Sequence, residues 1–442
     1  PADAAAGAYT TKITVTADGI KEPLTFDYTV NVQNAVLPNA DTFKDRFSIE
    51  FWHHPYASAE YYDVKPFSAE HLKILESMQD IYKEIGGNTI YTSIVEEPWM
   101  GQTWSSHNTE EQPTYPSMVK WIKDSKGNFT FDYTHFDTWV QFNIDRGLGD
   151  KIVMFSIAPW HNSFKYYDKD TGKLKTETFK DLGGVGSEKY NEIWTIFLKD
   201  LVKHLEQKGW FDRAYIGIDE RGFDAKAFDI VESVKNTKGE CLKIMGYMDN
   251  VADKNKYELA LRCTDYSIGD NAAQTGHPEE YKKLLAERNA KGLKTTFYSC
   301  TEHRPGNFSL SQPVESYFSV IGTGKGGATG FARWAYDAWV PNPLEDATHS
   351  SFEPGDCFVI YPDLKSNKDH AVAKYSVRLA RMAEGVRDMN KIMLMVEKHP
   401  ELQSKVDALY DTVKMKAFTE NERYLNDAEI SALRTQMNCL LY

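Results

Sequence analysis

Cysteine is sparse in this 442-residue chain: Cys241, Cys263, Cys300, Cys357 and Cys439 lie far apart, with no Cys-x-x-Cys pair. An odd, scattered set of that kind argues against a disulfide scaffold and against a zinc knuckle. Long apolar runs are missing too. No stretch of about eighteen apolar residues occurs, so nothing reads as a membrane-spanning helix. Positive charge is in deficit, with 51 Lys and Arg against 64 Asp and Glu and a formal net charge of -13. That balance repels phosphate backbones and anionic membrane surfaces, so nucleic acid is not an expected partner. A Gly-rich phosphate loop is absent after the first β/α strand, where the chain reads His53-His54-Pro55-Tyr56, and no His-x-x-x-His ligand pair occurs. No cofactor is therefore expected. No signal peptide is visible, and the opening Pro1-Ala2-Asp3 reads as a cut made inside a longer protein.

What is present is the composition of a globular protein with a sizeable core: 41% hydrophobic and 26% charged residues, 13% of the chain aromatic. The length fits an α/β barrel with extra segments attached. Residues 7–37 alternate as strands do, through Tyr9, Thr11, Ile13 and Val15, then Leu24, Phe26, Tyr28, Val30 and Val32, around the turn Ala17-Asp18-Gly19-Ile20. Two strands alone make no stable sheet. Residues 1–40 are thus expected to be the tail of an N-terminal β-sandwich.

From about Phe47 the pattern becomes strand, helix, strand, helix. Strands are expected at 47–52, 88–95, 151–158, 213–219, 241–247, 265–269, 294–299 and 328–334. Amphipathic helices lie between them. Leu72, Leu75, Met78, Tyr82 and Ile85 recur every three to four residues behind the N-cap Ser68 and ahead of Gly86-Gly87. Tyr190, Trp194, Phe197, Leu201 and Leu205 repeat the spacing before Gly209, and Val372, Tyr375, Leu379, Met382 and Val386 repeat it after the eighth strand. Eight such units close most economically into a (β/α)₈ barrel over 41–398, whose active site is built at the C-terminal ends of its strands. A hairpin at 119–133, turning at Asp124-Ser125-Lys126-Gly127, is inserted after the second strand. Residues 399–442 form a helical extension, with helices expected at 402–414 and 427–437.

The most informative stretch is Tyr215-Ile216-Gly217-Ile218-Asp219-Glu220, an apolar strand ending in two adjacent acids. Two carboxyls side by side are costly to keep ionised together, so one is expected to hold its proton near neutrality. That is the equipment of an acid/base enzyme. Alternation puts Tyr215, Gly217 and Asp219 on one face and Glu220 on the other. Both acids reach one substrate only if the chain turns on leaving the strand, which Gly222 permits, and Gly217 leaves interior space beneath Asp219. Around the pair, strand-end positions are rich in rings and polar groups: Trp52 and His54, Trp99, Trp160 and His161, Asn271, Tyr298, then Arg333, Trp334, Tyr336 and Trp339. Flat rings there can stack on the apolar face of a sugar. These are the candidate substrate-binding residues.

Asp219-Glu220 after its strand, Arg333-Trp334-Ala335-Tyr336 and Gly355-Asp356-x-x-x-x-Tyr361-Pro362 together resemble glycoside hydrolase family 123, as do Glu50-Phe51-Trp52-His53-His54-Pro55 and the later Glu384-Gly385-Val386-Arg387-Asp388. The likeness spans nearly all of residues 8–395. One departure is Arg221, where many sequences of that family carry Pro. The resemblance implies a (β/α)₈ catalytic domain behind a β-sandwich, a retaining β-N-acetylgalactosaminidase activity on a glycan or glycoconjugate, and a secreted, periplasmic or cell-surface location. It further implies substrate assistance, with Asp219 orienting the 2-acetamido group and Glu220 as acid/base. Two alternatives stand beside it. One is a metal-dependent sugar isomerase or aldolase using Glu220, Asp249, Asp270 and His303; the other is a carbohydrate-binding barrel without turnover.

Overall fold

The computed structural model describes residues 3–33, 36–99, 115–160, 162–220, 224–248, 251–269, 277–299, 301, 303–349, 351–412 and 427–441. In chain order the strands are β1 (Gly7–Val15), β2 (Leu24–Val32), β3 (Ser48–Phe51), β4 (Thr89–Ser93), β5 (Lys120–Lys123), β6 (Phe129–Asp132), β7 (Lys151–Phe155), β8 (Ser163–Asp168), β9 (Leu174–Thr178), β10 (Ala214–Ile218), β11 (Lys243–Met248), β12 (Asp265–Gly269), β13 (Lys294–Ser299) and β14 (Gly330–Arg333). The helices are α1 (Pro55–Tyr61), α2 (Ala69–Glu84), α3 (Thr134–Asp145), α4 (Glu188–Lys208), α5 (Ala225–Ser233), α6 (Lys254–Arg262), α7 (Pro278–Ala290), α8 (Pro313–Lys325), α9 (Val377–Lys398), α10 (Gln403–Thr412) and α11 (Asp427–Leu441).

Eight of these strands form one parallel sheet in the order β3-β14-β13-β12-β11-β10-β7-β4. The seam between β3 and β4 is held by a single parallel bridge, Ile49 to Gly87, so the sheet is nearly closed into a barrel. Glycine is required at that seam. A Cβ on Gly87 would sit 2.2 Å from the Tyr82 ring, and Gly86 adopts φ +97 beside Phe43. All eight expected barrel strands are present. At the N-terminal end of the barrel Lys151 lies 2.7 Å from both Glu50 and Asp265, a charge cluster that satisfies three buried groups at once.

Helix starts follow their caps. The hydroxyls of Ser68 and Ser187 accept from the backbone N–H of His71 and Tyr190 at the heads of α2 and α4, and Gly209 ends α4 in the left-handed region at φ 70. The helix expected around Val372 begins later than its apolar spacing suggested. Ser376 caps α9 through Leu379 N–H, while Val372 and Tyr375 are exposed and Tyr375 belongs to a two-residue strand, Lys374–Tyr375. A strong N-cap outweighs periodicity in fixing where a helix starts. The extension holds α10 and α11, and the Asp388 carboxylate ties α8, α9 and α11 together by accepting from Tyr317 (2.8 Å) and Arg434 (2.9 Å).

The expected hairpin at 119–133 is β5 and β6, but it is half of a larger unit. A second hairpin, β8 and β9, pairs with it to give a four-stranded sheet in the order β6-β5-β8-β9. Trp121 of β5 stacks on Phe197 of α4 at 4.5 Å and seats this sheet on the barrel. The N-terminal hairpin β1–β2 pairs in register from Gly7↔Val32 to Val15↔Leu24, and its apolar row from Tyr9 to Val30 is about half exposed.

Candidate active site

Strand β10 brings the acid pair to the C-terminal end of the barrel. Its register sets Gly217 beside Phe155 of β7 and Met245 of β11. A Cβ on Gly217 would lie 2.8 Å from the Phe155 ring, so the space left by this glycine is filled by that ring and not left empty beneath Asp219. Phe155 in turn packs on Trp52 at 4.5 Å. Regular strand ends at Ile218, and past it strand alternation no longer binds: Asp219 and Glu220 both line one cleft of about 550 Å³. Asp219 is 7% exposed and Glu220 is half-buried, which makes Asp219 the deeper of the two. Gly222, the residue expected to allow the turn, lies outside the described residues.

The cleft is walled by rings. Trp52 packs against Trp99 at 5.3 Å and edge-on against Tyr247 at 4.6 Å, forming the deep wall. Tyr298, from the end of β13, donates its hydroxyl to Glu220 Oε1. Trp160, Trp334 and Phe352 complete the lining at shallower positions. Beneath Tyr247 its hydroxyl is paired with that of Tyr91 at 2.8 Å, which fixes the ring from below.

Among the expected substrate-binding residues, Trp52, Trp99, Trp160, Tyr298 and Trp334 therefore face the cleft with the acid pair. His54 lies behind that wall, edge-on to Trp99 and Trp334 at 5.5 and 5.8 Å, its backbone N–H donating to Asp337 Oδ1 at 2.7 Å. Arg333, Tyr336 and Trp339 are buried off the lining, and their polar atoms serve the core. Arg333 pairs with Asp356 at 2.9 Å, Tyr336 donates to Met78 O, and Trp339 donates to Ile360 O. In this structure the three pack the core and anchor loops behind the cleft wall. His161 and Asn271 lie outside the described residues, as do Asp249, Asp270 and Glu302.

Burial sets the charges behind the wall. It pushes His53 and His54 down to about 3, so both imidazoles are neutral, and raises Asp337 to about 7. Glu97 adopts a left-handed backbone at φ 48 and accepts the Tyr115 N–H at its carboxylate. Of the set weighed for a metal, Glu220 and His303 are described while Asp249 and Asp270 are not. Among the described residues no group of three or more His, Cys, Asp or Glu side chains is placed to share an ion, and no helix is long and apolar enough to cross a membrane.

Two lining residues escaped the sequence. Tyr247 sits one layer below the end of β11, where alternation alone would have turned it inward, whereas Phe352 comes from an irregular loop with no local signal.

An acid pair at the C-terminal end of a (β/α)₈ barrel, in an aromatic cleft sized for sugar, defines the chain as a glycosidase by class. More narrowly, the profile "Glycoside hydrolase 123, catalytic domain" matches residues 52–395, and the chain belongs to glycoside hydrolase family 123. A family 123 glycoside hydrolase from Clostridium perfringens, described for its hydrolysis of glycolipid glycans, superposes with a TM-score of 0.86 at 35% identity over 100% of this chain and 76% of its own. An endo-1,4-beta-xylanase from Caldicellulosiruptor owensensis aligns at 12% identity and TM-score 0.39, over 79% of this chain and 99% of its own. An endo-beta1,6-glucanase does so at 13% and 0.45, over 86% and 84%. Those two are too remote to bear on function. No curated protein sequence matches the chain. Family membership favours a glycosidase over the isomerase or aldolase alternative.

Proposed function

We propose that the chain is a retaining β-N-acetylgalactosaminidase in which the substrate's own 2-acetamido oxygen is the nucleophile. One observation carries the reading: Asp219 and Glu220, neighbours in sequence, line one cleft together. Ordinary retaining enzymes set their two carboxyls about 5 Å apart on opposite sides of the scissile bond. Two residues leaving one strand are poorly placed for that division, and suit a nucleophile supplied by the sugar.

In the first step the acetamido oxygen bonds to C1 as the C1–O glycosidic bond breaks, and the Glu220 proton passes to the departing oxygen. Asp219, deeper in the cleft, accepts the acetamido N–H and stabilises the positive charge of the oxazolinium ion. In the second step the Glu220 carboxylate takes a proton from water, water bonds to C1, and the acetamido oxygen leaves. Two inversions at C1 give net retention. Tyr298 holds Glu220 by its hydroxyl, and Trp52, Trp99 and Tyr247 enclose the sugar ring.

The relative's action on glycolipid glycans supports a glycan or glycoconjugate substrate. The β1–β2 hairpin, with its apolar row about half exposed, fits the tail of a β-sandwich, and a glycoconjugate substrate fits a location outside the cytoplasm. Asp219→Asn tests the mechanism. Its loss should fall mainly on kcat, because the charge it stabilises exists only as the oxazolinium forms. A thiazoline mimic of that intermediate should inhibit the parent enzyme. A sugar trapped covalently on a protein carboxylate would overturn the proposal.

A further inference from the structure

Tyr247 is the top of a polar column that runs through the barrel interior below the cleft. At the N-terminal end of the barrel the Glu50 and Asp265 carboxylates share the Lys151 ammonium, each at 2.7 Å. Tyr91 stands level with Val153, two residues up β7 from Lys151, and Tyr247 stands level with Ser267, two residues up β12 from Asp265. Both rings therefore sit one layer above the charges. Their hydroxyls meet at 2.8 Å, and Tyr91 Oη lies 3.5 Å from Glu50 Oε2. Glu50, Tyr91 and Tyr247 are all buried.

This column fixes where its two hydroxyl protons lie. Glu50, held in its ion pair, is an acceptor only, while each tyrosine can donate one proton and accept another. If Tyr91 gave its proton to Tyr247, the Tyr247 proton would be buried with no acceptor among the described residues, at the full cost of desolvating a donor. With Tyr247 donating to Tyr91 and Tyr91 to Glu50, both protons have acceptors. The second step is long, and the charge on its acceptor draws the proton across it. Both O–H dipoles then point away from the cleft, with their oxygen ends toward it. We propose that Glu50 and Tyr91 are positioning residues for catalysis: they hold the Tyr247 proton turned away, so that the cleft floor presents negative dipole ends to the positive charge that gathers on the sugar as its glycosidic bond breaks. Such ends act on the oxocarbenium-like transition state more than on the neutral bound substrate.

The inference rests on the glycosidase class, and only its choice of substrate rests on the N-acetylgalactosaminidase reading. Parent, Tyr91→Phe, Tyr247→Phe and the double variant are compared on nitrophenyl β-N-acetylgalactosaminide. Tyr91→Phe removes one oxygen and frees the Tyr247 proton; it should lower kcat about three- to tenfold, the worth of one neutral hydrogen bond, and change KM less than about twofold. In the Tyr247→Phe background the same change should cost less than about twofold, because no proton is left to turn. Ser48→Ala removes the 3.0 Å bond to the other Glu50 oxygen and leaves the column intact. It can lower the melting temperature as Tyr91→Phe does, yet its kcat should stay within about twofold of the parent. A Tyr91→Phe loss confined to KM, an equal loss in both backgrounds, or an equal fall in kcat for Ser48→Ala would each overturn the positioning role. Unchanged kcat in Tyr247→Phe would overturn it too, even where Tyr91→Phe folds poorly. A parent that turns over a different nitrophenyl glycoside would overturn the sugar assignment alone, and the same enzymes are then compared on that glycoside.

Discussion

Replacing Glu220 by Gln separates proton transfer from positioning more cleanly than any other change in the cleft. Tyr298 is 6% exposed and donates to Glu220 Oε1. The amide retains an oxygen at that place, so the tyrosine keeps its partner and the side chain its orientation. What is lost is the exchangeable proton. A positioned general acid is worth about 10² to 10⁴ in rate, which at about 1.4 kcal/mol per decade is about 3 to 5.5 kcal/mol of barrier. That loss should appear in kcat/KM on a natural oligosaccharide, whose leaving alkoxide needs the proton. A nitrophenyl glycoside needs little protonation, so its bond-breaking step should be impaired much less, leaving ring-opening to limit kcat. The assay is steady-state kinetics on both substrates, with a thermal melt to check that the variant is folded. Full activity of Glu220→Gln on the oligosaccharide would refute the role assigned to Glu220. An equal fall on both substrates in kcat/KM would point to misplacement and not to a missing proton.

Other outcomes follow from the groups behind the wall. Asp337 is raised to about 7 by burial, so the folded state holds its proton more tightly than the unfolded chain; stability on its account is fullest below about 3.8 and is lost as pH rises toward 7. His53 and His54, lowered to about 3, act in the opposite sense, and stability is lost as pH falls below about 6.5. Asp337→Asn keeps an acceptor for His54 N–H and should raise the melting temperature at pH 8 relative to the parent; a melting temperature that falls instead would contradict the buried, proton-holding carboxyl. Arg333→Met leaves the buried Asp356 carboxylate without its ion-pair partner, with Thr301 still donating to it, and should cost about 3–5 kcal/mol in denaturant unfolding, whereas a cost below about 1 kcal/mol would show that the pair is not structural.

Much of the barrel could be read from the chain because its strands are short apolar runs bounded by caps and turns. Seven of the eight, from Ser48–Phe51 to Gly330–Arg333, fall inside their expected ranges, and β11 runs one residue past its expected end, to Met248. The acid pair was legible for the same reason, since it ends such a run. Local pattern failed where a long-range partner decides the outcome. Strands β8 and β9 carry no clear apolar alternation; β8 is held by pairing with β5 and β9 by pairing with β8, a sheet that no local periodicity announces. Arg333 ends β14 and Tyr336 and Trp339 follow it as Trp334 does, yet Trp334 faces the cleft while the other three turn into the core. Only the positions of Asp356, Met78 and Ile360 distinguish them. Phe352 reaches the cleft because Arg304 and Thr301, some fifty residues earlier, hold its loop.

The central claim is that the sugar's acetamido group performs the attack beside Asp219 and Glu220. It is tested most directly by measuring kcat/KM for nitrophenyl β-glycosides of N-acetylgalactosamine, N-acetylglucosamine, galactose and glucose side by side. The account predicts turnover of the N-acetylgalactosaminide above its N-acetylglucosamine epimer, and none of galactoside or glucoside, which lack the nucleophile. Comparable turnover of the galactoside and its 2-acetamido counterpart would contradict it.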